Sequence, residues 1–188
     1  MVRKHWLTIL LVVLLCISIG IHAYYISKQS EKKADFLSRV YGSLQNINTL
    51  LDPAAGYENA DSIIRAETEI RRLGDLFFYY HLYVDDRLYW NQMSFDQLAF
   101  TLSSKSGDLD GLRISGVLED GVISDAEKNY LRALYDDFHS LMKEMEGEKP
   151  NQADLSVSIG QINQYFDAFF SRWNTRSADT PFKILMSE

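Results

Sequence analysis

The stretch 6–27 limits what this chain can be more than any other part. It opens on Trp6, carries no charged residue from Leu7 through Ser27, and closes with Tyr24 and Tyr25. As a helix, Trp6 to Tyr25 would span about 28 Å, close to the hydrocarbon thickness of a bilayer. Aromatic residues at both ends match the interfacial belts of a spanning helix. The sequence therefore predicts a single-pass membrane anchor over 6–27, behind a short cytoplasmic tail, 1–5.

Two other readings use the same residues. As a secretory signal, Arg3 and Lys4 supply the basic start and Ile21-His22-Ala23 the cleavage site. The small-x-small pattern is poor there, because Ile21 is large. As a lipoprotein site, Cys16 would need a small residue before it, and Leu15 is not small. The anchor is the preferred reading. Arg3 and Lys4 before the span are matched by Lys28, Lys32, Lys33 and Arg39 after it, so charge alone does not orient it. A short basic start ahead of an apolar run is the export layout, and it predicts an extracytoplasmic domain.

All 26 acidic residues lie beyond the span, with 17 of the 19 Lys and Arg, so that part of the chain carries −9. That charge excludes a nucleic-acid backbone as partner and disfavours lying flat on anionic lipid. Cys16 is the only cysteine, which leaves the outer domain without disulfides or thiolate metal sites.

Beyond the anchor, four segments repeat apolar residues at alternating steps of three and four, the seam of a helical bundle. The first, 28–51, carries Phe36, Val40, Leu44, Ile47 and Leu51. No breaker separates it from the anchor, and Asp52-Pro53 ends it. The second begins at Asn59 or Asp61 and carries Ile63, Ala66, Ile70, Leu73, Phe77, Tyr80 and Val84. The third opens on the capping box Ser124-Asp-Ala-Glu127 and carries Leu131, Leu134, Phe138, Leu141 and Met145, with Gly147 as its C-terminal cap. The fourth begins at Asn151 or Asp154 and carries Leu155, Ile159, Ile162, Phe166, Phe169 and Trp173. The predicted class is all-α: a transmembrane helix, then a four-helix bundle over 28–176 with a long insertion, 91–123, between its second and third helices. A flexible tail, 177–188, follows. Within the insertion we expect a short helix opened by Ser94 and Gln97, with Phe95, Leu98, Ala99 and Leu102 as its apolar face. A loop or a small hairpin, 112–115 against 117–123, follows it.

Chemistry leaves few marks. There is no nucleophile elbow, phosphate loop or His-Glu-x-x-His, and the domain holds only His81 and His139. Asp136/His139 and His81/Asp85 have chelate spacing, but both pairs read as solvated positions. Asp85-Asp86 and Asp136-Asp137 are sequence neighbours whose side chains would diverge on a helix. Asp108, Asp110 and Glu119 imitate a calcium loop, yet Leu112 and Arg113 stand where a ligand and the turn glycine belong. No catalytic residue, metal ligand or cofactor is expected.

The strongest candidate site is aromatic. Residues 76–84 read Leu-Phe-Phe-Tyr-Tyr-His-Leu-Tyr-Val, and Leu88-Tyr89-Trp90 follows. The seam uses Phe77, Tyr80 and Val84. Phe78, Tyr79, Leu82 and Tyr83, with Tyr89 and Trp90, need another cover. The insertion is the first candidate cover, and a membrane or envelope protein, a second copy or a ligand is the next. The fold is similar in outline to the outer sensing bundles of bacterial receptors. Those receptors send a second span back, whereas 181–188 is too short for one, which favours an accessory or scaffold module. A small-ligand sensor acting through a partner is the alternative, and an envelope enzyme is least expected.

Overall fold

A computed structural model describes residues 2–57, 59–89, 92–103, 106–109 and 112–179. The chain divides into two compact units, 1–35 and 36–188. The described residues of the first are helical throughout, part of a helix α1 that runs Val2–Leu50. It holds the one stretch, among the described residues, long and apolar enough to cross a membrane, and none of that stretch is buried. With no proline from Val2 to Leu50, nothing interrupts the helical hydrogen bonding. Cys16 lies exposed on this unit.

Among the described residues, the second unit holds helices and one two-stranded ribbon. Its elements are the end of α1, a 3₁₀ turn Pro53–Ala55, α2 (Ala60–Tyr83), α3 (Gln92–Thr101), β1 (Ser106–Leu109), β2 (Leu112–Ser115), α4 (Asp125–Glu144) and α5 (Ile159–Asp179). One hydrophobic cluster draws on all five helices. Every predicted seam residue of α1, α2 and α4 is buried in it except Val84, which is half-buried.

The stop and start signals act locally. Asp52 ends α1 and caps the 3₁₀ turn, its Oδ1 accepting the Ala54 N–H at 2.9 Å. Asn59, the first of the two expected caps, accepts the Asp61 N–H at 3.0 Å. At Ser124 the capping box closes both ways, with the Ser124 N–H on Glu127 Oε2 (2.7 Å) and the Glu127 N–H on Ser124 Oγ (3.3 Å).

Several expectations are corrected. Helix α5 opens at Ile159, not at Asn151 or Asp154. Asp154 instead turns the chain, its Oδ1 accepting from the Ser156 N–H (2.8 Å) and hydroxyl (2.6 Å). The working cap is Ser158, in a reciprocal box with Gln161. Leu155, placed on the seam, is therefore 49 % exposed, and Val157 is buried in its stead. Gly147 is not the cap of α4. The cap is Met145, and Gly147 belongs to the following turn, donating to the Gln152 carbonyl at 2.8 Å. The positive φ in that turn falls on Asn151, at 61°. Glu146 gathers the turn: its Oε1 accepts the Asn151 N–H (2.8 Å) and the Tyr41 hydroxyl (3.3 Å), tying the α4–α5 connection to α1.

In the insertion, α3 opens at Gln92, so Ser94 lies inside the helix, buried, and does not cap it. Phe95, Leu98, Ala99 and Leu102 are buried as expected. The hairpin pairs 112–115 with 106–109, not with 117–123. Residues 117 and 118 face the interior, with the Val117 N–H on the Thr101 carbonyl (2.9 Å) and the Leu118 N–H on that of Ser103 (3.2 Å). Asp108 and Arg113, which sat in the calcium-loop reading, are paired strand residues. Residues 177–179 of the expected tail are helical, and 180–188 lie outside the described residues.

Candidate functional site: an aromatic surface at the end of helix α2

Helix α2 presents its seam to the core, where Phe77 meets Phe36, Phe95 and Phe166 at ring separations of 5.4, 5.4 and 4.4 Å. Tyr80 stacks on Phe36 at 4.2 Å. Burial, and next the charge of Asp85, pushes the Tyr80 phenol up to about 12, so it stays neutral at any ordinary pH. Helix α3 covers a second side of α2. Its approach is close because Gly74 has no side chain: a Cβ there would lie 3.0 Å from Phe95 Cβ.

That docking decides the aromatic question. The insertion covers α2 at Gly74 and Phe77, and side chains on the outer side stay exposed. Tyr79 is 61 % exposed and Tyr83 63 %, and Phe78, Leu82, Tyr89 and Met93 are exposed with them. The preferred expectation, that the insertion would cover Phe78, Tyr79, Leu82 and Tyr83, is corrected. Phe78 and Leu82 form one i, i+4 ridge, and Tyr79 and Tyr83 a second beside it, with rings 4.9 Å apart. Trp90, the last of the predicted set, lies outside the described residues.

The segment after α2 is held by side-chain bonds. Asp85 is buried, and its carboxylate takes the Arg87 N–H (3.1 Å), Nε (2.8 Å) and Nη2 (2.6 Å). His81 Nδ1 meets the Leu88 carbonyl at 2.8 Å; a carbonyl only accepts, so this nitrogen carries the proton. Asn163 of α5 grips the same segment twice, donating to the Arg87 carbonyl (2.9 Å) and accepting the Tyr89 N–H (2.7 Å). The Tyr89 backbone is thereby held to α5.

These bonds dispose of the chelate pairs. His81 and Asp85 each turn to the 87–88 backbone or to Arg87, and Asp85 is buried where a solvated position was expected. It also lies beyond the last turn of α2, not on it. His139 stacks on Tyr135 at 5.6 Å, and Asp136 is exposed. Its neighbour Asp137 is buried, 3.7 Å from Arg172, so those two carboxylates diverge as expected. Among the described residues, no group of three or more His, Cys, Asp or Glu could hold a metal ion.

No protein-family model matches this chain, and neither a curated protein nor a solved structure is similar to it above chance. Function must be argued from this surface.

Sequence reading located the aromatic residues and missed their support. Asp85-x-Arg87 carries a recognisable signal, an Asx turn bonding two residues on. Asn163 has none, because its partners lie 74 and 76 residues away. The Arg87 guanidinium holds the Asp85 carboxyl below its ordinary 3.8, against the opposing push of burial. The unfolded chain therefore binds this proton first. The stabilisation is complete above pH 3.8 and drains away as pH falls through the lower folded value. Asp85→Asn should cost about 1 kcal/mol at neutral pH, the scale of a lost cap whose cation is well solvated. Denaturant midpoints measured against pH should converge for the two proteins below pH 3.8. Parallel curves would refute the pairing.

Proposed function

We propose that this protein is a single-pass, membrane-anchored accessory module. In this reading 6–27 crosses the membrane, and a four-helix bundle with its 91–123 insertion stands on the extracytoplasmic side. The bundle binds a membrane or cell-envelope protein through Phe78, Tyr79, Leu82, Tyr83 and Tyr89, with Trp90 next in sequence.

One observation carries the proposal: the apolar cover that the fold could have supplied to the end of α2 is spent on Gly74 and Phe77. Large exposed aromatic side chains cost solubility, and Tyr is favoured at interfaces because it joins a broad apolar ring to a polar tip. The side-chain bonds at Asp85, His81 and Asn163 reduce the ordering that binding would require. The net charge of −9 beyond the span suits a soluble outer domain with a protein partner better than one lying on anionic lipid.

The test is capture from native membranes with the anchor intact. Tyr79→Ala/Tyr83→Ala should lower recovery of a crosslinked partner at least tenfold, the scale of a lost aromatic hot spot. Thermal stability should move little, since both rings are already in water. Large destabilisation with unchanged capture would overturn the reading. External protease on intact cells or spheroplasts reports the orientation: survival of the domain while an external control is cut would place it inside.

A further inference from the structure

The position of this surface in the chain narrows what can cover it. Tyr80, whose neighbours on α2 are the exposed Tyr79 and Tyr83, stacks directly on Phe36. Only eight residues, 28–35, separate Phe36 from the end of the uncharged stretch at Ser27. They reach at most about 28 Å when extended and about 12 Å as helix. That chain length bounds how far Phe36 can lie from whatever membrane holds 6–27.

The shape and charge of the surface choose among membrane-proximal occupants. Two exposed i, i+4 ridges side by side, Phe78/Leu82 and Tyr79/Tyr83, leave a shallow groove between them, the relief that receives a ridge of another helix. Asp75 lies three residues before Phe78 and four before Tyr79, so it stands at the head of that groove, and it is exposed. Asp86 is exposed beyond the other end. Carboxylates at both ends repel anionic headgroups and attract the Lys and Arg that flank membrane spans, as Lys28, Lys32 and Lys33 flank this one.

We propose that the groove between Phe78/Leu82 and Tyr79/Tyr83 seats the juxtamembrane helix of an integral membrane protein in the same bilayer, apolar on the facing side and with a Lys or Arg against Asp75. The proposal rests on the interaction reading above and names the class of partner. Tethering in the same membrane replaces intrinsic affinity with effective concentration, which suits a patch of this modest size.

The experiment uses the full chain in native membranes, with a photo-crosslinking residue at position 83. A second version carries an insert of about 14 helix-forming residues (~21 Å) between Lys32 and Lys33. Crosslinks should map to an integral protein, within two helical turns of the end of one of its spans. The insert should cut their yield at least tenfold, with the domain's thermal transition unchanged as the control for folding. Asp75→Lys should cut it several-fold. Crosslinks to a soluble envelope protein, with yield indifferent to the insert, would overturn the juxtamembrane assignment and leave the interaction module standing. Crosslinks to lipid alone, or to a second copy of this chain, would overturn the assignment too. Absence of any protein crosslink would remove the interaction reading itself.

Discussion

Phe77→Ala should destabilise the helical domain by about 3–5 kcal/mol, the range for an aromatic side chain removed from a packed core. Phe77 is 1 % exposed and its ring touches rings from three other helices: Phe36 of α1, Phe95 of α3 and Phe166 of α5. The void would open where four helices meet, and no single helix could close it without leaving another. For a domain of this size the loss corresponds to a fall in Tm of roughly 6–20 °C. Phe77→Leu, which keeps most of the volume, should cost less than half as much. Thermal unfolding of the full chain in detergent, followed by near-UV circular dichroism, reads both. A Phe77→Ala loss below about 1 kcal/mol would mean that this ring cluster does not join the helices. The contrast with Tyr79, two residues along the same helix, is the sharpest check, since its truncation should leave stability almost unchanged.

Gly116→Ala should be nearly as damaging, for the opposite reason. A Cβ at position 116 would collide with the Ser103 carbonyl oxygen and stand 2.8 Å from its carbon. Both are backbone atoms, so no rotamer change relieves the clash. The chain at 116–118 must lift from 101–103, breaking the Val117 bond to Thr101 and the Leu118 bond to Ser103 and drawing two buried side chains outward. Overpacking and two lost hydrogen bonds together come to about 3 kcal/mol or more. The effect should be local, because Thr101 remains tied to Tyr130 of α4 by a 2.6 Å hydroxyl contact and Tyr130 to Trp173 of α5 at 3.4 Å. Faster amide exchange at Val117 and Leu118, and new protease cuts between 103 and 123, should appear before global unfolding. Wild-type exchange in that segment would show that the backbones are not in contact there.

The main helices were legible because their signals are local. A period of three and four residues lies within one helix, so the buried faces of α1, α2 and α4 could be read residue by residue. Caps and stops act over two to four residues, which is why Asp52-Pro53, Asn59 and the Ser124 box are found where the sequence places them. The start of α5 was misread because two local signals compete, Asp154 and Ser158. The choice falls to packing: Val157 enters the core, and the chain first closes a bridge between Glu146 and Ala153. The hairpin was misread because a one-dimensional pattern cannot say which of two neighbouring segments a short strand will pair with.

The candidate surface divides the same way. Residue order alone gives α2 more aromatic side chains than one buried face can use. It also sets an uncharged stretch of spanning length ahead of the acidic domain. Both are properties of residue order and helical period. Which aromatics stay in water depends on where α3 docks, and Gly74 admits Phe95 at one particular place. Only the tertiary structure could bring Asn163 to the 87–89 backbone. A contact across 74 residues leaves no periodic trace, since its geometry exists only once the helices between have packed.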